Sequence, residues 1–581
     1  MSNTVFSEIS KIDKFVRDTN IFVNKDILTI KKASGAGVGI FASTDIPKDT
    51  IIVKIPKSSI FTSKTCTINN LLSEESIEGI MGIHLAVLYE LFVFKDSKSH
   101  WYDYLSFIFA DCLDNKRSTG FYLPPGYWSD EEKLLLKGTL LDCQYDGLKT
   151  HKDIITIYKQ FVSIAYKWNK ECDLEIPAIL KNEKYSNLTE EELDAEITEE
   201  EENLLNSSLD FFKFIEIGFI ISSRVFEIDC YHLFGLVCIV DLFNHDSKED
   251  IHFENDYDVC EICGKLECGH MIEEEEGSEV GSSDEEHSES DDSRNKDYNT
   301  ESEEEEENID VSDEDNDQIS THHDQDDVCE IRTIHDIEKG NQIYNTYGKF
   351  PNAVLLLKYG FVVENNPYDK VSLVKEFNEV VDMISGIDKY DIEKRLRWWK
   401  EEGIFMFDEE LESDETDLEL NDEEDIEESE DDVIEEECEE EGEDDVIEED
   451  NDKENDVIEE EDDISDEVDI ETFWKDKIYI DSFGEASPFL ERLCIILAMT
   501  KEQFDEKKLQ LDSNSLEAIK STEIKQLLAL SLKMLKKILN KKKLYKIPET
   551  HQHLPNINEI KKMLLIENDI ILKCKENFNL Q

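Results

Sequence analysis

Apolar and polar residues alternate from residue 21 to residue 61, with turn-forming residues between the runs. This alternation predicts short strands at residues 27–30, 39–42 and 51–56. A hairpin turn is expected between the last two strands, where Pro47 and Asp49 lie close together in the sequence. This part of the chain is therefore predicted to be strand-rich.

Helical periodicity replaces the alternation in several longer regions. Residues 78–95 predict a buried helix, and residues 129–215 are mainly helical by pattern. After about residue 372 the pattern is helical again, and Ser487 followed by Pro488 predicts the start of one helix. Strand-like segments separate these regions, at residues 235–242, 328–334 and 342–344.

Two acidic tracts interrupt the pattern. Residues 271–327 hold 26 acidic and 2 basic residues, and residues 408–470 hold 40 acidic and 1 basic residue. Dense like charge and few aromatic residues predict that both tracts are disordered. Without them the net charge of −81 falls to −18 over 461 residues, so the folded body is only mildly acidic. The tracts are interpreted either as solubilising segments or as arms that contact basic partners, and their acidity argues against direct nucleic-acid binding.

Composition also bears on location. The first twenty residues carry charges throughout and lack the apolar core of a signal peptide. No apolar run reaches the roughly 18 residues needed to span a membrane, and the 13 cysteines lack a disulfide-framework spacing. We therefore expect a soluble protein in the cytoplasm or nucleus.

Three glycines in five residues, Gly35-Ala36-Gly37-Val38-Gly39, precede the second predicted strand. A dinucleotide-binding fold needs Gly-x-Gly-x-x-Gly followed by a helix. Here the spacing is Gly-x-Gly-x-Gly and a hairpin follows, which excludes that fold. Two interpretations remain, a turn where the backbone approaches a ligand closely or an ordinary hairpin turn.

Two further motifs follow in order. Asp241-Leu242-Phe243-Asn244-His245-Asp246-Ser247 comes about a hundred residues before Tyr344-Asn345-Thr346-Tyr347-Gly348. With the glycine turn, this order resembles the SET-domain protein lysine methyltransferases of the Rubisco large-subunit and fungal ribosomal-protein type. The resemblance covers nearly the whole chain outside the acidic tracts. It includes residues 99–105, 123–128, 136–139, 222–226, 358–361 and 365–367.

The resemblance implies S-adenosylmethionine as the methyl donor. The cofactor-binding residues that it implies are Ala36, Gly37, Val38, Arg224, Asn244, His245 and Tyr347. Arg224 would pair with the methionine carboxylate, which suits a planar, permanently charged guanidinium. Asn244 and His245 would act largely through their backbone. The residues themselves leave a surface salt bridge open for Arg224 and a packed core position open for His245.

Tyr347 is the predicted catalytic residue. Methyl transfer to a lysine amine is a single displacement, so orientation and electrostatics supply most of the rate. A tyrosine hydroxyl can orient the amine, and its ring face favours cationic groups. Tyr344 and Phe361 are predicted to line the lysine channel, and Tyr359 is a further candidate. All three could instead be ordinary core aromatics, and that interpretation is favoured for Tyr359.

A second cluster, Cys260, Cys263, Cys268 and His270, has the spacing Cys-x2-Cys-x4-Cys-x-His. Four soft ligands at this spacing suit tetrahedral zinc. The flanking sequence is too polar to fold alone, so a metal could stabilise it. The alternatives are one structural zinc ion or loop cysteines that bind no metal, and methyl transfer itself needs no Lewis acid.

The predicted fold class is α+β. A strand-rich SET domain of small sheets, with a pseudoknot-like C-terminal closure, is split by a helical insert and followed by an all-helical C-terminal domain. The predicted boundaries are 1–128 for the N-terminal SET portion, 129–220 for the helical insert, 221–372 for the C-terminal SET portion with an acidic Cys/His-containing insert at 250–327, and 373–581 for the helical domain with the acidic tract at 408–470.

The predicted function is protein-lysine N-methylation by a monomer. By resemblance, the substrate is a basic protein of the translation machinery, either a ribosomal protein or elongation factor 1-alpha. Two alternatives remain open from the sequence. One is a catalytically weak SET protein that acts as an adaptor or chaperone for basic partners, and the other is protein-histidine methylation.

Overall fold

The fold was analysed in a computed structural model of the chain. The structure describes residues 2–33, 37–113, 122–193, 195–266, 268, 270, 327–381, 389–399, 475–510 and 522–580. The acidic tract 408–470, and the tract 271–327 except for Asp327, lie outside the described residues. The chain divides into two compact units. The first holds residues 1–137, 145–369 and 548–563, and the second holds residues 138–144, 370–547 and 564–581.

A four-stranded antiparallel sheet lies in the first unit. Its strands, in spatial order, are β1 (Phe22–Val23), β4 (Ile51–Pro56), β9 (Val328–Thr333) and β8 (Ile251–Glu254). Every second residue of β9 is buried, as expected of a strand with one face on the core. The sheet therefore joins the N-terminal strands to a segment, β9, that follows them by more than 250 residues.

Three smaller strand pairs complete the strand-rich part. Hairpins are formed by β2 (Leu28–Lys32) with β3 (Val38–Ala42) and by β5 (Val225–Glu227) with β6 (Phe234–Leu236). The third pair is parallel and joins β7 (Asn244–His245) to β10 (Tyr344–Asn345). Small sheets of this kind agree with the predicted fold class.

Helices cover the sheets of the first unit, and apolar faces of both share one hydrophobic core. The α-helices assigned to this unit are Ser2–Asp18, Asn69–Glu74, Gly79–Tyr89, Lys95–Lys98, Tyr102–Ile108, Ala110–Leu113, Asp130–Leu135, Lys152–Cys172, Glu190–Leu193, Glu199–Leu205, Leu209–Ser222 and Asn352–Tyr359. The helix at Asp130 begins with a capping box, in which Ser129 and Glu132 bond each other's backbone N–H groups. The structure is therefore helical through most of the predicted insert, 129–220.

The second unit has its own hydrophobic core. Its helices are Leu140–Cys143, Val374–Val381, Lys389–Trp398, Pro488–Ala498, Lys501–Gln510 and Thr522–Lys541, and a further helix covers Ile557–Asn577. The guanidinium of Arg395 is buried in this unit and donates to the carbonyl oxygens of Ile496 and Met499. One feature differs from the all-helical prediction, because β11 (Lys370–Ser372) pairs with β12 (Tyr479–Asp481).

None of the helices in the described ranges is both long enough and apolar enough to cross a lipid bilayer.

Candidate active site

The two sequence motifs meet at the parallel strand pair. Asn244 lies opposite Tyr344 and His245 lies opposite Asn345 in the register of β7 and β10. Beyond the strands, the backbone N–H of Tyr347 donates to Nδ1 of His245 at 3.0 Å. Burial lowers the pKa of His245, so the ring stays neutral and Nδ1 remains an acceptor. His245 therefore holds the Tyr347 backbone through its side chain.

The glycine turn approaches the same strand pair. The side-chain amide of Asn244 donates to the carbonyl oxygen of Val38 at 3.2 Å. A β-carbon at Gly39 would lie 2.8 Å from Nδ2 of Asn244, so only glycine leaves this amide in place. Gly37 adopts a positive φ of +70°, while Ala36 lies outside the described residues. The hairpin of β2 and β3 is thus joined to β7 by an approach that a side chain would obstruct.

A cavity of about 230 Å³ opens beside this strand pair. Its walls come from the end of a helix, strand β5, and the segments around the two motifs. The lining residues are Ser223, Arg224, Val225, Phe226, Glu227, Val240, Asp241, Phe243, Asn345, Thr346, Tyr347 and Tyr359. Two of the predicted site residues, Arg224 and Tyr347, therefore share one cavity.

Charged groups line one wall of the cavity. Arg224 donates through Nη1 to the carbonyl oxygen of Asp241 at 2.8 Å, and its buried Nε makes no hydrogen bond to any residue that the structure describes. The carboxylate of Asp241 accepts from the hydroxyl of Tyr104 at 2.9 Å. Burial raises the pKa of Asp241 to about 6, although Arg224 and Tyr104 favour its charged form. The wall thus offers a half-buried guanidinium whose Nε is a free donor.

Tyr347 closes another side of the cavity. Its hydroxyl donates to the carbonyl oxygen of Phe243 at 3.1 Å. Burial raises the pKa of Tyr347 to about 12. The hydroxyl therefore stays protonated at neutral pH and can act as a hydrogen-bond donor and acceptor, but not as a phenolate base.

Aromatic rings surround Tyr347. Its ring lies 4.8 Å from that of Tyr359, 5.2 Å from that of His245 and 6.1 Å from that of Phe361, measured between centroids. Rings at such separations form a group that can face a cation. The backbone N–H of Tyr344 donates to the carboxylate of Asp250 at 2.8 Å. Tyr359 lines the cavity, whereas Tyr344 and Phe361 are not among the lining residues and stay predicted channel residues.

Comparison with known proteins identifies the family. The model of the SET domain matches residues 37–348. Ribosomal lysine N-methyltransferase 3 of Saccharomyces cerevisiae is 32% identical over 516 residues, which cover 87% of this chain and 84% of the relative.

This chain belongs to the SET domain family.

Two further comparisons give weaker similarity. Ribosomal lysine N-methyltransferase 4 of Schizosaccharomyces pombe is 23% identical, over 62% of this chain and 67% of the relative. The crystal structure of the SET domain of LSMT bound to lysine and AdoHcy aligns with 98% of this chain and 92% of that chain, at 15% identity and a TM-score of 0.39. The resemblance to SET-domain proteins drawn from the motifs is confirmed by the family match and the first relative.

Several cavity residues of this SET domain were not predicted from the sequence. Asp241, Phe243 and Asn345 belong to the two motifs, but only their neighbours had been given roles. Tyr104, which bonds to Asp241 but does not line the cavity, lies in the segment 99–105, which had been noted only as part of the family resemblance. The sequence did hold a signal for the role of Asp241. An acidic residue next to an apolar run must be paired or neutralised when it is buried, which indicates a polar partner inside the fold.

The cysteine and histidine cluster of the SET domain also comes together. The ligand atoms of Cys260, Cys263, Cys268 and His270 all lie within 4.8 Å of one another. None of the four residues lines the cavity. The structure therefore separates the possible metal ligands from the candidate active site.

Proposed function

We propose that this SET-domain protein transfers a methyl group from S-adenosylmethionine to a lysine side chain of a ribosomal protein. The observation that carries the proposal is the shared cavity, which Tyr347 and the half-buried Arg224 both line. The names of the two ribosomal lysine N-methyltransferases support the reaction and the class of substrate.

The residues of the cavity and of the adjoining strands fit the proposed cofactor. The buried Nε of Arg224 is a free cationic donor, which a carboxylate such as that of the methionine moiety would satisfy. Gly37, Val38 and Asn244 would hold the cofactor where the hairpin and β7 approach each other. His245 and Tyr347 would complete the set through their neighbouring backbone, and Ala36 stays a prediction. When bound, S-adenosylmethionine supplies an electrophilic methyl group on a sulfonium sulfur.

The protein's own residues orient the acceptor. A lysine amine must be uncharged and aimed along one line to react, so its placement accounts for much of the rate. The Tyr347 hydroxyl can hold the amine, because it is protonated at neutral pH and fixed by the carbonyl oxygen of Phe243. The rings of Tyr347 and Tyr359 line the cavity and would stabilise an ammonium group by cation–π attraction.

The proposed substrate is basic and belongs to the translation machinery. We favour a ribosomal protein over elongation factor 1-alpha as the substrate, because both relatives are named ribosomal lysine N-methyltransferases. Attraction to the acidic tracts would favour a basic partner. The protein would act as a monomer in the cytoplasm or nucleus.

The test is methylation of ribosomes from cells that lack this protein, with labelled S-adenosylmethionine and peptide mapping of the product. We expect label on a lysine of one ribosomal protein. The Tyr347→Phe variant should bind the cofactor nearly as well as the native protein but transfer methyl groups roughly tenfold to a thousandfold more slowly. It removes one hydroxyl from the cavity and leaves the packed ring.

Tyr166→Phe is the matched control, because Tyr166 lies on the helix Lys152–Cys172 and does not line the cavity. Native and control proteins should react at the same rate. An unchanged rate in Tyr347→Phe would move the orienting role to another residue. Label on histidine, or cofactor-dependent label on no protein at all, would contradict the proposed function.

A further inference from the structure

We propose that Cys260, Cys263, Cys268 and His270 bind one structural zinc ion. Nδ1 of His270 lies 3.7 Å from Sγ of Cys260 and 3.7 Å from Sγ of Cys268. In a tetrahedral site with Zn–S of about 2.3 Å and Zn–N of about 2.0 Å, sulfur and nitrogen lie about 3.5 Å apart. The four side chains therefore already form a cage of nearly the required size.

A tight turn brings two of the ligands together. The N–H of Gly264 donates to the carbonyl oxygen of Cys260 at 2.7 Å, and the N–H of Cys260 donates to the carbonyl oxygen of Lys265 at 2.9 Å. Gly264 has a φ of +69°, and a β-carbon there would lie 2.5 Å from the ring of Tyr231. Glycine is therefore required both by the turn and by the neighbouring ring.

The donor chemistry selects zinc. The three cysteines form no disulfide with any cysteine in the described part of the chain. Three thiolates and one imidazole are soft, tetrahedral ligands, and four protein ligands leave no open position for a substrate. Such a closed site stabilises structure, and binding would release the thiol protons to solvent.

The segment before the cluster is bonded to the turn between β5 and β6. The side-chain amide of Asn255 donates to the carbonyl oxygen of Ile228. Sγ of Cys230 donates to the carbonyl oxygen of Val259 at 3.0 Å. The buried Lys57 contacts both the segment before the cluster and the turn. Its Nζ donates to the carbonyl oxygen of Asp256 in the segment at 2.7 Å and pairs with Asp229 in the turn at 2.8 Å.

Through these contacts, a zinc ion in the loop would stabilise the hairpin of β5 and β6. The turn at residues 228–233 lies at one end of β5, and Arg224 lies at the other end, in the cavity wall. A metal-closed loop would hold this hairpin in place without touching the reacting groups. The zinc site would therefore stabilise the hairpin and leave cofactor binding largely to residues outside the loop.

Zinc content is the primary test. The full-length protein, purified without chelators or metal-affinity resin, should contain about one zinc per chain by elemental analysis. Cys263→Ser should lose at least four-fifths of that zinc. Cys230→Ser is the matched control, because its sulfur lies beside the loop but is not a ligand, and it should keep the full content.

Three further measurements distinguish loss of zinc from simple unfolding. Chelation of the native protein followed by cobalt addition should give the intense visible bands of a tetrahedral cobalt thiolate. Hydrogen exchange should accelerate at residues 228–233 and 255–266 after chelation, but not in the helix Lys152–Cys172. Calorimetry should still detect S-adenosylmethionine binding by the zinc-free protein.

The proposal is overturned by a folded native protein that holds less than about a tenth of a zinc equivalent and gives no cobalt spectrum. It is also overturned if Cys263→Ser and Cys230→Ser lose zinc equally. Release of zinc without any change in exchange at residues 228–233 would refute the role in supporting the hairpin. Failure of methyl transfer with zinc present would bear on the proposed function alone.

Discussion

Asp241 is a buried carboxylate in the cavity wall, and its protonation makes stability depend on pH. Its pKa of about 6 in the folded protein exceeds the ordinary value of about 3.9. The folded state thus holds this proton more tightly than the unfolded chain does. The resulting stabilisation is complete below about pH 4 and is lost as the pH rises through about 6.

Asp241→Asn removes this titration and keeps the shape of the side chain. We expect the melting temperature of the variant, relative to that of the native protein, to rise between pH 4.5 and pH 7.5. The shift of about two pKa units corresponds to at most about 3 kcal/mol. Scanning calorimetry at both pH values measures the effect, with the exposed Asp173→Asn as control. A temperature difference that is independent of pH would disprove the assignment.

Residue chemistry also shows how far the sequence could predict the site. Arg224 and Tyr347 were assigned from motifs, and the structure brings both into one cavity. The roles of the Asp241 side chain and of Tyr104 were missed, because their hydrogen bond joins residues 137 positions apart. Spacing along a chain cannot reveal such a pair unless the fold is already known.

At the scale of elements, the side-chain amide of Asn244 in β7 lies close against the backbone of β3. Gly39→Ala would place a β-carbon 2.8 Å from Asn244 Nδ2 and 2.9 Å from Gln342 Nε2. The Asn244 amide would move and lose its bond to Val38. We expect affinity for S-adenosylmethionine to fall about tenfold, or about 1.4 kcal/mol, with little loss of folded protein.

Isothermal titration calorimetry checks this expectation. Lys32→Ala is the control, because it alters the same hairpin at an exposed position paired with Val38. The control should bind as the native protein does. Native affinity in Gly39→Ala would mean that the close approach has no part in cofactor binding.

Secondary structure was predicted correctly where the pattern of apolar and polar residues was compatible with only one type of element. The strands expected at 27–30, 39–42 and 51–56 correspond to β2, β3 and β4. The apolar run at 235–242 was wrongly predicted as one strand, because β6 ends at Leu236 and Ile239 adopts a positive φ of +79°. A fully buried loop and a buried strand are equally apolar, so periodicity could not separate them.

At the scale of the whole molecule, acidic charge is concentrated in two tracts of the sequence, residues 271–327 and 408–470. Deleting residues 408–470 would remove a net charge of −39. We expect methylation of a short peptide substrate to continue unchanged, because such a tract buries too little apolar surface to contribute to a core. Activity on whole ribosomes should fall at low salt and converge with that of the native protein at high salt.

Initial rates on peptide and on ribosomes, across a salt series, provide the measurement. A variant in which the tract is replaced by a neutral glycine-serine linker of equal length separates charge from chain length. Both variants should behave alike. Loss of folded protein after deletion would show that the tract contributes to the structure.

The pairing of β4 with β9 determines when the central sheet can form. The partners lie about 270 residues apart, from Pro56 with Val328 to Ile51 with Arg332. At roughly 5–20 residues per second, a ribosome needs roughly 15 to 55 s to synthesise the intervening chain. During that interval β9 has not been synthesised, so one hydrogen-bonding edge of β4 lacks its partner. Unpaired strand edges can pair with other chains and aggregate. We therefore expect the nascent chain to depend on chaperones during synthesis.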